Sequence, residues 1–265
     1  MRSSILILLP FLLFSAIHAE DKVVKSDEVY ETPDHLMHLN DGSFSLYTGE
    51  VKQYYKNGKL KSRKHYRNGK LEGKAVEYHK NGTKRLEATY RNGKVEGVLT
   101  KWYSNGQKKS EIGFHNGKRE GDTRFWYKTG EKMFHYRFKN GKYDGENIAW
   151  HKNGKVKSIS HYKEGSKEGF EASYAKDGSP LEKATYRHNK LHGLHEAWYG
   201  NGQKKIEQHY KDGELDGVER VWYKNGQMLH EVTYKNGYRS GTAHYWGEKG
   251  EALPPMDYSN GIIRN

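Results

Sequence analysis

Three histidines, His188, His192 and His195, form an H-x3-H-x2-H run of donor types that Zn2+ or Cu2+ takes from proteins. The run spans a passage from loop to strand, so its spacing does not fix the three rings on one face. The chain also scatters 15 His along its length. His65, His161 and His209 share a solvent-facing column that elsewhere holds Thr, which marks them as surface residues. Columns of Lys, Arg and Glu resemble an acid–base array. Catalysis of that kind needs two inequivalent, perturbed groups in one pocket, whereas repetition supplies many equivalent exposed ones. Pairs such as Lys109/Glu111 and Lys205/Glu207 are expected to be solvated sheet surface, each worth about tenths of a kcal/mol. No GxSxG, P-loop, GxGxxG or HExxH motif occurs. With no cysteine, disulfides, thiolate metal sites, thiol catalysis and a lipidated Cys are also excluded. The expectation is a chain that is not an enzyme, with no catalytic, metal or cofactor-binding residue and no cofactor.

The elements that carry these residues follow one period. A glycine column runs Gly58, Gly82, Gly106, Gly130, Gly154, Gly178, Gly202, Gly226, Gly250, each step 24 residues. A second runs from Gly69 to Gly261, with Asn189 in place of one Gly, and a third from Gly49 to Gly241. These columns absorb 26 of the 30 glycines, so glycine here sets turns and does not signal flexibility. Two ring columns share the period. One runs Tyr66, Tyr90, Phe114, Phe138 and on to Tyr258; the other runs Tyr54, Tyr78, Trp102, Trp126 and on to Trp246 and contains every Trp.

Asn-Gly pairs such as Asn81-Gly82 mark tight turns, and the runs of six to eight residues between them read as strands. Leu86, Ala88 and Tyr90 share one strand face; Arg85, Glu87 and Thr89 share the other, which is expected to be solvated. A two-residue turn at Asn81-Gly82 would set Tyr78 opposite Arg85. A three-residue turn with Gly82 in the left-handed region instead aligns Tyr78 and Val76 with Leu86, Ala88 and Tyr90. The latter is preferred, since it gathers both ring columns into a one-sided core layer. Asn68 to Gly73 would form a longer link to the next hairpin. The fold class expected is all-β: about nine 24-residue β-hairpin repeats in an elongated, twisted antiparallel meander or solenoid, roughly 85 Å long.

Hydrophobic residues make up 34% and aromatics 13%, enough for thin ring layers but not a thick aliphatic core. Residues 1–19 have a secretory layout: Arg2, an apolar stretch from Ile5 to Ile17, and Ala19 before the cut. Residues 20–46 fit no full unit and form a leader with an N-terminal strand or two, and 47–265 are the repeat array. Around Ala175, Asp177, Pro180 and Asn189 the unit loses its pattern, and Pro254-Pro255 reads as a cap on a terminal strand.

The recurring Tyr-x-Asn-Gly-Lys-x-x-Gly and Trp-Tyr-x-Asn-Gly-Gln-Lys, seen at Trp102–Lys108 and again at Trp222–Gln227, resembles the MORN-repeat variant of YwqK-type bacterial antitoxins. The resemblance covers about residues 47–265 and implies serial β-hairpins acting as an interaction scaffold, without catalytic residues. An exported chain could not neutralise a cytosolic toxin but would protect the envelope as an immunity protein.

The function expected is an exported, non-enzymatic scaffold for protein–protein interaction, periplasmic, envelope-associated or secreted. The alternatives are a glycan or wall-polymer binder, an anionic-lipid binder driven by the charge of +13, and a YwqK-like antitoxin or immunity protein. A protein partner comes first, nucleic acid is not expected, and the chain is taken as a monomer or as self-associating end to end.

Overall fold

The computed structural model describes residues 23–259; the export signal expected over 1–19 lies outside them. Strand follows strand without a helix among the described residues. Each strand of the array pairs antiparallel with its chain neighbour, from Gly49–Tyr54 to Ala252–Asp257, giving one open, elongated meander.

The segment before the array is a built cap. Strand β1 (Val23–Lys25) runs parallel to Gly49–Tyr54, while β2 (Val29–Glu31) and β3 (Met37–Leu39) form a separate hairpin. Val24, Val29 and Met37 bury against Tyr47, Val51 and Tyr66, closing the first unit's core. The other end is thinner. Ala252–Asp257 runs through Pro254-Pro255 as the last described strand, and all six residues are exposed. Prolines fit there because an outermost strand needs no donors on its open side.

Two turn types alternate along the array. At the first glycine column the turn has three residues: the His79 N–H donates to the Thr83 carbonyl and the Gly82 N–H to the His79 carbonyl, both at 2.8 Å. Gly82 has φ +92°, as the three-residue turn requires. At the second column the turn has two residues, both left-handed, such as Asn68 (φ 47°) and Gly69 (φ 74°) between paired Arg67 and Lys70. The longer link expected over Asn68–Gly73 is therefore a tight hairpin, with Gly73 as a break further along the returning strand.

The expected one-sided ring layer is not formed. Tyr78 pairs with Lys84 while Glu77 pairs with Leu86, so Arg85 is an extra residue opposite the Glu77–Tyr78 step. The same slip recurs at Gln53/Tyr54, Phe125/Trp126, Ala149/Trp150 and Val221/Trp222. A slip of one residue moves a side chain to the other face of a sheet. Ala75 and Glu77, not Val76 and Tyr78, therefore share a side with Leu86, Ala88 and Tyr90. The two ring columns lie on opposite sides. Tyr66, Phe138, Tyr234 and Tyr258 are buried on the core side, whereas every Trp is only half-buried and Tyr54 is 50% exposed. The outer side is not wholly solvated, since Val76 and Ala172 are 2% exposed there.

Candidate functional site

Hairpins are locked together along both edges of the meander. On the edge with three-residue turns, a Tyr or His after the ring of the Trp column reaches the next unit in seven of the nine hairpins. Tyr103 Oη donates to the Trp126 carbonyl at 2.9 Å and Tyr199 Oη to the Trp222 carbonyl at 2.8 Å. His79 and His151 reach the Trp102 and Tyr174 carbonyls at 3.0 and 2.9 Å. The turn asparagines add a second clamp: Asn105 Nδ2 donates to the Lys128 carbonyl at 3.0 Å and Asn201 Nδ2 to the Lys224 carbonyl at 2.9 Å. On the other edge, a carboxylate accepts the backbone N–H of the next unit's turn. Glu72 serves Asn92, Glu96 serves Asn116 at 2.8 Å, and Glu120 serves Asn140. Hydrogen bonds from the Asn116 N–H and then from His115 hold the Glu96 carboxyl below its ordinary range. The sequence reading left Glu72 inside the link from Asn68 to Gly73 and gave these acids no role. Their place just before the third glycine column is the signal that distinguishes them.

Lysines cover the Trp ledge. Lys84 lies over Trp102 at 5.7 Å, Lys132 over Trp150 at 5.6 Å and Lys204 over Trp222 at 5.7 Å. Where Pro180 replaces the corresponding lysine, Lys183 lies over Trp198 at 5.4 Å. The slipped residues Lys109 and Lys205 lie over Tyr103 and Tyr199. The carboxylates of Glu111 and Glu207 pair with Lys108 and Lys204, so the expected Lys109/Glu111 and Lys205/Glu207 ladders do not form.

Elsewhere on the outer side most charge is paired. Glu87 is bound by Lys74 at 2.9 Å and Lys84 at 2.7 Å, and Arg220 bridges Glu207 at 3.0 Å and Glu231 at 2.7 Å. Breaking this pattern, Val98, Phe170 and Leu194 are 58%, 40% and 39% exposed at one repeat position, where other units carry Glu50, Lys74, Asp122 or Glu146.

The core side changes character along the chain. Val51, Ala75 and Leu99 occupy a position that becomes Asn147, Glu171, His195 and Glu219 further on. There a hydrogen-bonded chain crosses five strands. His195 Nε2 meets Glu182 at 2.9 Å and its Nδ1 meets Gln208 Oε1 at 3.1 Å; Gln208 Nε2 donates to Glu219, which His230 Nε2 meets at 3.0 Å. Burial pushes the Glu219 carboxyl up, but hydrogen bonds from His230 and Gln208 outweigh it and leave the group below its ordinary range. Beside Glu182, a cleft of about 250 Å³ is lined by Ser158, Lys167, Glu171, Ser173 and Tyr186. The change of residue type within an otherwise apolar column is what could have revealed this network.

The three candidate metal-ligating histidines are separated. His188 stands in a two-residue turn at φ 50°, His192 Nδ1 accepts the Asp212 N–H at 3.2 Å, and His195 belongs to the core-side chain. No group of three metal-ligating side chains converges among the described residues.

The chain matches the MORN repeat variant over residues 47–68, 71–92, 95–116, 143–164, 191–212 and 215–236. The turns in the remaining units carry Thr129, Asp177 and Lys249 in place of asparagine. No curated protein matches the chain. A crystal structure of TcdB2-TccC3-Cdc42 is similar at 12% identity over 89% of this chain and 15% of that one, with a TM-score of 0.21, too low to carry an argument. The six matched units and the hairpin array they fold into place the chain in the MORN-repeat family, as a protein of the variant type.

Proposed function

We propose that the protein is an exported, non-enzymatic scaffold that binds a protein partner across the outer side of its sheet, at the bacterial envelope or outside the cell. The observation that carries this is the exposed apolar position at Val98, Phe170 and Leu194 on a side whose charges are otherwise largely paired. Exposed Phe and Leu flanked by polar residues are what a protein interface buries at its centre. The clamps at both edges support the same reading, because a rigid surface loses little entropy on binding.

The secretory layout of residues 1–19 supports export. The likeness of Trp102–Lys108 to YwqK-type repeats suggests a narrower form, an immunity protein whose partner is a toxin acting at the envelope.

The test is capture from an envelope fraction by the wild type and by a Phe170→Ser/Leu194→Ser variant. A single partner held at saturating stoichiometry by the wild type and lost by the variant is the expected result. Equal capture by both proteins would overturn this use of the outer side.

A further inference from the structure

The basic charge of this chain is concentrated on one edge. The nine octapeptides that begin with the Trp-column ring, from Tyr54–Lys61 to Trp246–Leu253, contain eighteen Lys or Arg and four Asp or Glu. That surplus of 14 exceeds the +13 of the whole chain, so the rest of the molecule is close to neutral. Of the eighteen cations seventeen are lysine; Arg85 is the exception. Lys56, Lys80, Lys128 and Lys152 are exposed at the turn tips and form no ion pair among the described residues. The opposite edge also carries lysines, but Glu72, Glu96, Glu120, Asp144, Glu168 and Asp216 stand among them.

We infer that this lysine and tryptophan edge is a binding ledge for a linear acidic polysaccharide. The first ground is charge, net positive in seven of the nine octapeptides and recurring about 10 Å apart at two strand spacings per unit. The second is shape. Adjacent strands turn by about 20–25° relative to each other, so the cations of successive hairpins wind around the array. A flat lipid surface or a folded protein would meet only a few of these units at once. A flexible linear polymer can follow them all.

The third ground is the state of the rings. Trp102, Trp150, Trp198 and Trp222 each already hold one of the protein's own ammonium groups over the ring. Single-stranded nucleic acid is held largely by bases stacked on free aromatic faces, and four of the six Trp rings here already carry a cation. What the ledge offers is pre-placed point charges with polar turn groups between them. That suits carboxylates and hydroxyls on a sugar chain.

The probe is soluble polygalacturonate, titrated against the purified protein at two salt concentrations beside neutral dextran, oligothymidylate and phosphatidylserine vesicles. Polygalacturonate should bind, more weakly at high salt, and dextran should not. Replacing Lys56, Lys80, Lys109, Lys128 and Lys152 with Gln should weaken binding about tenfold or more. Replacing Lys70, Lys94, Lys118, Lys142 and Lys190 with Gln removes the same charge from the opposite edge and should change affinity by no more than about twofold. Equal losses in the two variants would show that net charge alone is responsible and overturn the ledge. So would tighter binding of oligothymidylate or vesicles than of polygalacturonate, or no binding of polygalacturonate. Neither variant touches Phe170 or Leu194, so failure here leaves the protein-docking test standing.

Discussion

Two joints between neighbouring hairpins show what holds this array in register. Between the turns at 102–109 and 126–133, Tyr103 and Asn105 both reach across to backbone carbonyls of the next unit. Between the turns at 174–181 and 198–205, Ala175 and Asp177 stand at those two positions, and no side-chain bond crosses among the described residues. The far edge of the same region is also altered: His192 replaces the usual acid, and Asn189 replaces glycine at φ 65°. The strand ladder nevertheless continues across the joint, with Glu182 to Ala197 and Ala184 to His195 still in pair. Fold is therefore set by the backbone ladder and the turns, while the clamps add local stability. In a repeat array each unit leans only on its neighbours, so an unclamped joint weakens its own region first.

The largest effect should come from breaking a clamped joint. Tyr199→Phe with Asn201→Ala removes two cross-unit hydrogen bonds and should lower unfolding free energy by about 1–3 kcal/mol, read from denaturant melts. The converse change should mend the open joint. Ala175→Tyr with Asp177→Asn restores both clamp types and should stabilise by about 1 kcal/mol, raising the denaturant midpoint without changing its slope. An unchanged midpoint in both variants would mean that the clamps are decoration on a sufficient backbone ladder.

A smaller effect tests the carboxylate edge by pH. The Glu96 carboxyl is held below its ordinary range by the Asn116 N–H, so its contribution is complete above the unfolded-state carboxylate range. It should fade as pH falls through the lower folded value. The Asn116 amide resonance should follow that titration by NMR, and Glu96→Gln should abolish the pH dependence. Asp212, bound to His192 in place of an acid, should show no carboxylate-range step arising from that partner.

The period and the three-residue turns with a left-handed Gly82 were legible in the sequence, because glycine sits cheaply at positive φ, whereas the two-residue turn at Asn68-Gly69 was read as part of a longer link. The slip at Arg85 was not. Its column holds Lys61, Arg85, Lys109, Met133 and Lys157, none of which marks a bulge by type, and one hidden residue was enough to move the Trp column to the other side. The cap was legible only as an N-terminal strand or two over 20–46: β1 pairs in parallel and β2 with β3 stands outside the period, so repetition says nothing of their pairing. Among candidate site residues, the spacing of His188, His192 and His195 suggested convergence. A turn, an edge and a core face separate them, because a two-residue turn and a register shift between Leu191 and His195 fall within that short span.

The most direct measurement is amide hydrogen exchange resolved along the chain, since it reports opening joint by joint. Amides flanking the joint between 174–181 and 198–205 should exchange faster than those at the clamped joint between 102–109 and 126–133, and the Ala175→Tyr/Asp177→Asn variant should close that gap. Equal protection at the two joints in the wild type would contradict the claim that cross-unit clamps set the local stability of this repeat array.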